Sequence, residues 1–335
     1  MDPPRKVISV ITPCYNEETN VSEVYARVKA VFEADHRFGY EHIFIDNASQ
    51  DNTLAVLKEI ARQDPRVKII ANARNFGHLR SPMHGMFQAT GDAVVLLFSD
   101  LQDPPELLRQ MIDEWDKGVP VVVAIKKTSE ESGLMFWLRT KYYQLVSRLA
   151  DLETYENFTR FGLYDRRVIE IIRSFNDPYP YFRGMIAEVG LPHVKIPYDQ
   201  KRRHRGITKN NFYTLYDLAM LGFTSFSKIP LRLLTIWGFV CSFLSICISM
   251  VYLVYKLLFW NSFSVGMAPL VIGIFFFGSV QLVFIGILGE YIGAIHTQVL
   301  KRPLVIERER INFDSVSREI SEDPAPISVP SESVR

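Results

Sequence analysis

The chain has 335 residues, enough for one large domain with an appendage, and its net charge of +1 provides no overall field for nucleic acid. Charge is unevenly distributed, because residues 233–255 and 257–289 contain no charged side chain. The three cysteines, Cys14, Cys241 and Cys247, form neither a zinc motif nor a disulfide framework.

The first 125 residues alternate short apolar runs with amphipathic segments. Strands are predicted at 7–11, 42–45, 67–71, 93–98 and 119–125, with helices at 20–33, 53–63, 77–91 and 105–117. Asn20 and Glu23 are predicted to form a capping box at the first helix. This alternation predicts an α/β fold with a Rossmann-like, mostly parallel sheet. Neither a dinucleotide-binding glycine motif nor a Walker motif is present, which argues against a dehydrogenase or a P-loop enzyme.

The stretch 94–106, VVLLFSDLQDPPE, runs from a buried strand into an acidic turn. Asp100, Gln102 and Asp103 follow the strand, at the sheet edge where open α/β folds bind ligands. Their oxygen atoms suit Mg²⁺ or Mn²⁺ carrying a diphosphate. The alternative is a solvated acidic turn at the start of a helix.

Polar groups also follow the first two predicted strands. Pro13 and Tyr15 are placed to stack beside a base, and Asp46 to accept a hydrogen bond from a base or a ribose. Separately, these residues are also typical of a turn proline, a core tyrosine and a helix-capping carboxylate. Together with the acidic turn, they predict a binding site at one sheet edge.

The uncharged stretches predict two membrane spans at about 233–256 and 267–293, although a pair of buried core helices is the alternative. Basic residues precede the first stretch and follow the second, which predicts that both ends and the large polar region are cytoplasmic. Segments 134–150 and 212–226 mix aromatic and basic residues and are predicted to be interfacial helices, with helices packed on the sheet as the alternative. The predicted domains are a catalytic domain at 1–210, an interfacial helix and linker at 211–232, two membrane helices at 233–295, and a cytoplasmic tail at 296–335, disordered from about 313.

An ordered set of motifs resembles family 2 glycosyltransferases with the GT-A fold, in the branch of the dolichyl- and undecaprenyl-phosphate sugar transferases. The matching segments are ISVITPCYNEETN at 8–20, IDNASQDNT at 45–53, ARNFGHLRSPMHG at 73–85, DLQDPPE at 100–106, FGLYDRR at 161–167, RHRGITK at 203–209 and SFSKIPLRL at 225–233. The resemblance implies a metal held by Asp100 and Gln102. It also implies a nucleotide pocket lined by Pro13, Tyr15, Glu17, Asp46, Ser49 and Arg74, and phosphate contacts from Arg203, Arg205 and Lys209.

The chain departs from the family pattern at three places. Phe98 stands where the family often has the first carboxylate of an Asp-x-Asp motif, and Asn47-Ala48 stands where Asp-Gly is common. Arg160 occupies the position of an aspartate that many relatives carry and that is taken as catalytic. A polyprenyl phosphate has a second pKa of roughly 6 and needs no base to remove a proton before it attacks. A cation at position 160 can therefore replace the aspartate, with Arg160 holding the acceptor phosphate. The predicted catalytic residues are Asp100, Asp103 and Arg160.

The predicted function is the inverting, metal-dependent transfer of one sugar, most readily from a UDP-sugar, to a polyprenyl phosphate at the cytoplasmic face of a bacterial inner membrane. The predicted partners are a nucleotide-sugar, a polyprenyl phosphate and membrane lipid, without nucleic acid, and a homo-oligomer is compatible with the sequence. One alternative is a processive polysaccharide synthase, although the chain lacks a Gln-x-x-Arg-Trp motif. The other is a degenerate transferase that serves as a membrane scaffold or a nucleotide-sugar sensor.

Overall fold

The computed structural model describes residues 5–126, 158–200, 229–259 and 267–313. The chain divides into two compact units, an α/β unit and a unit containing the apolar helices. Both predicted interfacial helices, and the predicted phosphate contacts Arg203, Arg205 and Lys209, lie outside the described residues.

The α/β unit confirms the predicted alternation of strands and helices. Its first nine elements are β1 Val7–Cys14, α1 Val21–Ala34, β2 Gly39–Asp46, α2 Thr53–Gln63, β3 Val67–Asn72, α3 Gly77–Gln88, β4 Ala93–Leu96, α4 Leu107–Asp116 and β5 Val121–Lys126. Sequence analysis did not identify the five that follow, which are β6 Phe158–Asp165, α5 Arg166–Ser174, α6 Phe182–Val189, β7 His193–Tyr198 and β8 Glu307–Ile311.

The eight strands of the described residues form one sheet in the order β7-β5-β6-β4-β1-β2-β3-β8. The pairs β1–β2, β2–β3, β1–β4 and β5–β7 are parallel, whereas β6 and β8 run antiparallel to their neighbours. The GT-A fold class, with a mostly parallel sheet, is therefore confirmed. The direction of winding reverses between β1 and β4, and open α/β sheets bind ligands beyond the carboxyl ends of strands at such a point.

Helices cover both faces of this sheet, which explains why its central strands are apolar along their whole length. On one face α1 and α4 pack against the strands, for example through Val28 and Met111. On the other face α3 and α5 do so, through Met86 and Ile169. All four side chains are almost completely buried. The two layers fix the strand ends from which the site is built.

The start of α1 differs from the predicted capping box. The amide of Asn20 donates to Glu17 Oε2 over 2.6 Å, and its side chain makes no capping hydrogen bond to the helix. Asn20 already has a helical backbone, with φ −109° and ψ −32°, because its N–H closes a turn onto the carbonyl of Glu17. The side chain is thereby directed toward the preceding loop rather than the helix.

The segment that follows the apolar helices returns to the α/β unit. Strand β8 pairs with β3, and the side chain of Asn312 donates to the carbonyl oxygens of Ala61 and Val67 over 2.7 and 2.8 Å. Residues 307–311 thus belong to the sheet, although sequence analysis placed them in the tail. Residues 314–335 lie outside the described part of the chain.

The second unit contains two long apolar helices, α7 Ile229–Leu258 and α8 Met267–Val299. Among the described residues, one helical stretch, Gly273–Val299, is both long enough and apolar enough to cross a membrane. Leu233–Ile248 is a shorter apolar stretch. A first span therefore remains a prediction from the sequence.

Candidate active site

Loops that follow β1, β2 and β4 are joined by hydrogen bonds at the carboxyl edge of the sheet. The backbone N–H of Asn16 donates to Ser49 Oγ over 3.0 Å, which connects the loops after β1 and β2. The hydroxyl of Ser99 donates to the carbonyl of Pro13 over 3.1 Å, which connects the loop after β4 to the end of β1. Three sequence-predicted strand ends therefore meet at the switch point of the sheet.

Asp46 ends β2 and is 1% exposed. The backbone N–H of Ser49 lies 3.3 Å from each of its carboxylate oxygens. Burial raises the pKa of Asp46, while these hydrogen bonds and the charge of Arg308 oppose the increase. Arg308 belongs to β8, so the strand that sequence analysis missed brings a positive charge near the predicted nucleotide pocket.

The other predicted nucleotide residues lie at or just after the ends of neighbouring strands. Pro13 near the end of β1, and Tyr15 and Glu17 just after it, are partly exposed. Arg74 is exposed after β3, where its guanidinium lies 4.1 Å from the ring centre of Phe76. Partial exposure leaves ring faces and charged groups accessible to a nucleotide, which is what a binding pocket requires.

Asn47 organises the loop that carries Arg74. Its amide nitrogen donates to Asn75 Oδ1 over 2.9 Å and to the carbonyl of Gly77 over 3.2 Å. Its amide oxygen accepts from Asn72 Nδ2 over 3.0 Å and from the N–H of Phe76 over 2.9 Å. An aspartate could not make the two donor contacts, which gives a physical reason for asparagine at this departure from the family pattern.

Asp100 and Gln102 lie in the turn after β4. The N–H of Gln102 is 3.3 Å from Asp100 Oδ1, and the intervening Leu101 has a φ of +56°. No group of three or more His, Cys, Asp or Glu side chains that could hold a metal occurs among the described residues. One carboxylate and one amide oxygen nevertheless fit Mg²⁺ or Mn²⁺, since such ions commonly take one or two protein oxygens together with substrate phosphates and water.

Asp103, two residues before the second proline of the same turn, is 3% exposed. The hydroxyl of Tyr198 and the amide of Gln200 both donate to its Oδ1, the latter over 3.1 Å. Burial raises the pKa of Asp103 to about 6, with a further contribution from the charge of Asp100. The structure therefore connects the acidic turn to β7, which no sequence pattern indicated.

Arg160 lies near the start of β6. Because β6 runs antiparallel to β4, the start of β6 lies beside the end of β4. A register shift in the pairing of β5 with β6 accompanies its φ of +76°. The guanidinium is 4.8 Å from the ring centre of Phe98 and donates to the carbonyl of His78 over 2.9 Å. The structure thus brings together two of the three departures from the family pattern.

Backbone strain is concentrated at this edge. Of the seven non-glycine residues with positive φ in the described ranges, four lie at this edge, namely Asn16, Ala48 and Leu101 in the loops and Arg160 near the start of β6. Each non-glycine residue in the left-handed region costs about 1–2 kcal/mol. Such residues cluster where surrounding contacts hold a functional geometry.

Comparisons with known proteins indicate the family to which the chain belongs. The model of Glycosyl transferase family 2 matches residues 9–173. The "Uncharacterized glycosyltransferase YkcC" of Bacillus subtilis is 34% identical over 309 residues, covering 92% of this chain and 95% of the relative. The "SfII prophage-derived bactoprenol glucosyl transferase" of Shigella flexneri is 33% identical over 300 residues, covering 89% and 96%.

Among solved structures, the mannosyltransferase PcManGT from Pyrobaculum calidifontis, in complex with GDP-Man and Mn²⁺, matches with a TM-score of 0.45 and 17% identity, covering 66% of this chain and 62% of that one. The glucosyl-3-phosphoglycerate synthase of Mycobacterium tuberculosis, in complex with UDP, matches with a TM-score of 0.44 and 17% identity, covering 65% and 78%. The sequence relatives, matched over nearly their full lengths, establish the assignment: this chain is a glycosyltransferase and belongs to glycosyl transferase family 2.

Proposed function

We propose that this glycosyltransferase transfers a single sugar from a nucleotide-sugar, a UDP-sugar, to a polyprenyl phosphate at the cytoplasmic face of a membrane. The transfer inverts the configuration at the anomeric carbon and depends on Mg²⁺ or Mn²⁺. In this proposal the protein is integral to a bacterial inner membrane and crosses it twice, through α7 and α8.

The proposal of a polyprenyl phosphate acceptor is supported by similarity over nearly the whole chain to a protein named as a bactoprenol glucosyl transferase. The matched 300 residues are 89% of this chain, so they extend far beyond the residues 9–173 that match the family model. A lipid acceptor also accounts for the apolar helix stretch Gly273–Val299 in a transferase.

The donor side rests on the carboxyl edge of the sheet. Asp46 lies buried at the end of β2, with Pro13 at the end of the neighbouring strand β1 and Tyr15 just after it, as a nucleoside pocket requires. Asp100 and Gln102 supply the oxygen atoms that would hold a divalent ion. When bound, that ion would offset the negative charge of the diphosphate leaving group.

The reaction requires alignment more than proton transfer. A phosphate oxygen of the acceptor would attack the anomeric carbon while the bond from that carbon to the diphosphate breaks, and the departing diphosphate takes the electron pair. Because a phosphate monoester is largely dianionic near neutral pH, no base has to remove a proton first. The protein contributes by holding both substrates in line, since orientation alone can supply a large part of a rate enhancement.

A direct test uses purified full-length protein in detergent with radiolabelled UDP-sugars, Mn²⁺ and undecaprenyl phosphate. We expect label in the lipid phase, release of one UDP per sugar, and loss of both on addition of EDTA. Asp100→Asn should reduce the rate about 100-fold or more, because it removes the one carboxylate in the proposed metal-binding pair. The matched control is Arg62→Gln, a surface change on α2 at a side chain that is 77% exposed.

Two results would contradict the proposal and favour the alternatives. Long labelled polymer would favour a processive synthase. Binding of UDP-sugars without transfer to lipid, across the whole donor panel, would favour a scaffold or sensor.

A further inference from the structure

Arg160 has no counter-ion in the part of the chain that the structure describes. Its guanidinium donates to the carbonyl of His78 and lies on the ring of Phe98, and neither group carries a negative charge. The same guanidinium is partly buried, so it has lost part of its hydration. A partly dehydrated cation without a counter-ion is a site for an anion.

A second cation, Arg183, makes the surroundings of Arg160 more favourable for an anion. Arg183 lies in the first turn of α6, close enough that its charge acts on both Arg160 and His78. Burial and the charge of Arg183 lower the pKa of Arg160 to about 10, so the side chain stays positive at neutral pH. Desolvation and both arginines lower the pKa of His78 to about 4, so its ring stays neutral. The net charge contributed by these three side chains is therefore positive at neutral pH.

Among the described residues, the carboxyl group that acts on Arg160 is that of Asp103, and it does not cancel this charge. Asp103 acts electrostatically on Arg160, but it accepts hydrogen bonds from Tyr198 and Gln200 and makes no ion pair with the guanidinium. Phe98 occupies the position where the family often has a carboxylate. A carboxylate there would pair with Arg160 and neutralise it, whereas a ring holds the cation in place through its π face and leaves its charge available.

We propose that Arg160, held on the ring of Phe98 and flanked by Arg183, binds the phosphate group of the lipid acceptor. The inference rests on the proposed function and assigns its acceptor subsite. A guanidinium matches the oxygens of a phosphate dianion through paired N–H donors. In this arrangement Arg160 positions the attacking oxygen, and no protein group takes a proton from it.

The test measures the acceptor and donor constants separately in Arg160→Gln, with farnesyl phosphate and undecaprenyl phosphate as acceptors. We expect KM for both acceptors to rise about tenfold or more, because one charge-assisted contact is lost. KM for the donor and binding of UDP should change by less than about twofold. Arg160→Lys should recover part of the acceptor affinity, because it keeps the charge without the paired donors.

A second variant tests the role of the ring independently. Phe98→Asp keeps Arg160 but supplies a counter-ion, so acceptor KM should rise while binding of UDP persists. Arg62→Gln is again the control and should change neither constant.

The outcomes separate this inference from the proposed function. If the wild-type protein transfers no sugar to either lipid phosphate, the proposed function fails. If the wild-type protein is active and Arg160→Gln keeps its acceptor KM while binding UDP normally, the acceptor subsite is wrong. Should Arg160→Gln fail to fold, an unchanged acceptor KM in Phe98→Asp would overturn the inference.

Discussion

The buried carboxylate of Asp103 offers the sharpest test of the site, through Asp103→Asn. Asparagine has nearly the same shape and keeps an oxygen that can accept from Tyr198 and Gln200, as the carboxylate does. The substitution removes the ability to become charged and replaces the other carboxylate oxygen, Oδ2, by an amide nitrogen. We therefore expect Asp103→Asn to stabilise the protein at neutral pH.

The magnitude follows from the pKa of Asp103, which burial raises from 3.8 to about 6. The folded state holds this proton more tightly than the unfolded chain, so its stability falls as the pH rises from about 4 through 6. The difference of 6 − 3.8, or about 2.2 pH units, corresponds to at most about 3 kcal/mol at pH 7.5. At pH 4.5 the same linkage costs about 1 kcal/mol, because most of the folded protein is still protonated there.

The assay is thermal unfolding of wild type and variant in detergent with EDTA, at pH 4.5 and 7.5. The variant should unfold several degrees higher at pH 7.5, and most of this difference should disappear at pH 4.5. Asp113→Asn is the matched control, since Asp113 is 44% exposed and its surface ion pair with Arg37 should contribute less than about 1 kcal/mol. A difference that is the same at both pH values, or a loss of stability at pH 7.5, would refute the reasoning. Transferase activity should fall in Asp103→Asn, because a charge kept at this cost is expected to serve the reaction.

Three further changes test the framework of the site by thermal unfolding. Asn47→Asp should lower the free energy of unfolding by about 3 kcal/mol, because it loses two donor contacts and places a carboxylate against the carbonyl of Gly77. An unchanged unfolding temperature would contradict the conclusion that Asn47 organises this loop. Ala48→Gly should stabilise by up to about 1 kcal/mol, because Ala48 has a φ of +61° that glycine adopts freely; lower stability would contradict the strain. A chain ending at residue 306 should unfold several degrees below one ending at residue 313, because only the longer chain keeps β8 on the edge of β3; equal stability would show that β8 contributes little.

The sequence predicted those parts of the fold whose signal is local. Strands β1 to β5 are apolar runs separated by amphipathic helices, and a period of two or 3.6 residues can be read from such segments alone. Strand β8, ERERI at Glu307–Ile311, has no apolar run. Its pairing with β3 and its ion pairs, such as Lys58 with Glu309 over 2.7 Å, make it a strand, and both are tertiary contacts.

The site divides in the same way. The placement of Asp46 and Asp100 at one edge could be predicted because each follows a predicted parallel strand, and such strand ends meet at one edge. The role of Asn47 depends on contacts with residues 72–77, which lie 25 to 30 positions further along the chain, and the side-chain contacts of Asp103 come from the end of β7 and the residues after it. Arg160 reaches the edge only because β6 is antiparallel, so that an early residue of β6 lies beside the end of β4. No spacing in the sequence carries that information.

The contact between Phe98 and Arg160 bears on whether the site has decayed. If each departure were an independent loss, the two replacements would have no reason to touch or to suit one another. In the structure they form a cation–π pair 4.8 Å apart, and each explains the other, since a carboxylate at 98 would neutralise the arginine. Strain points in the same direction, because Arg160 is held at a φ of +76° that its surroundings must stabilise. In the reaction that we propose, a lipid phosphate that already carries its charge needs no base and gains from a nearby cation, which is the change that these two residues would make together.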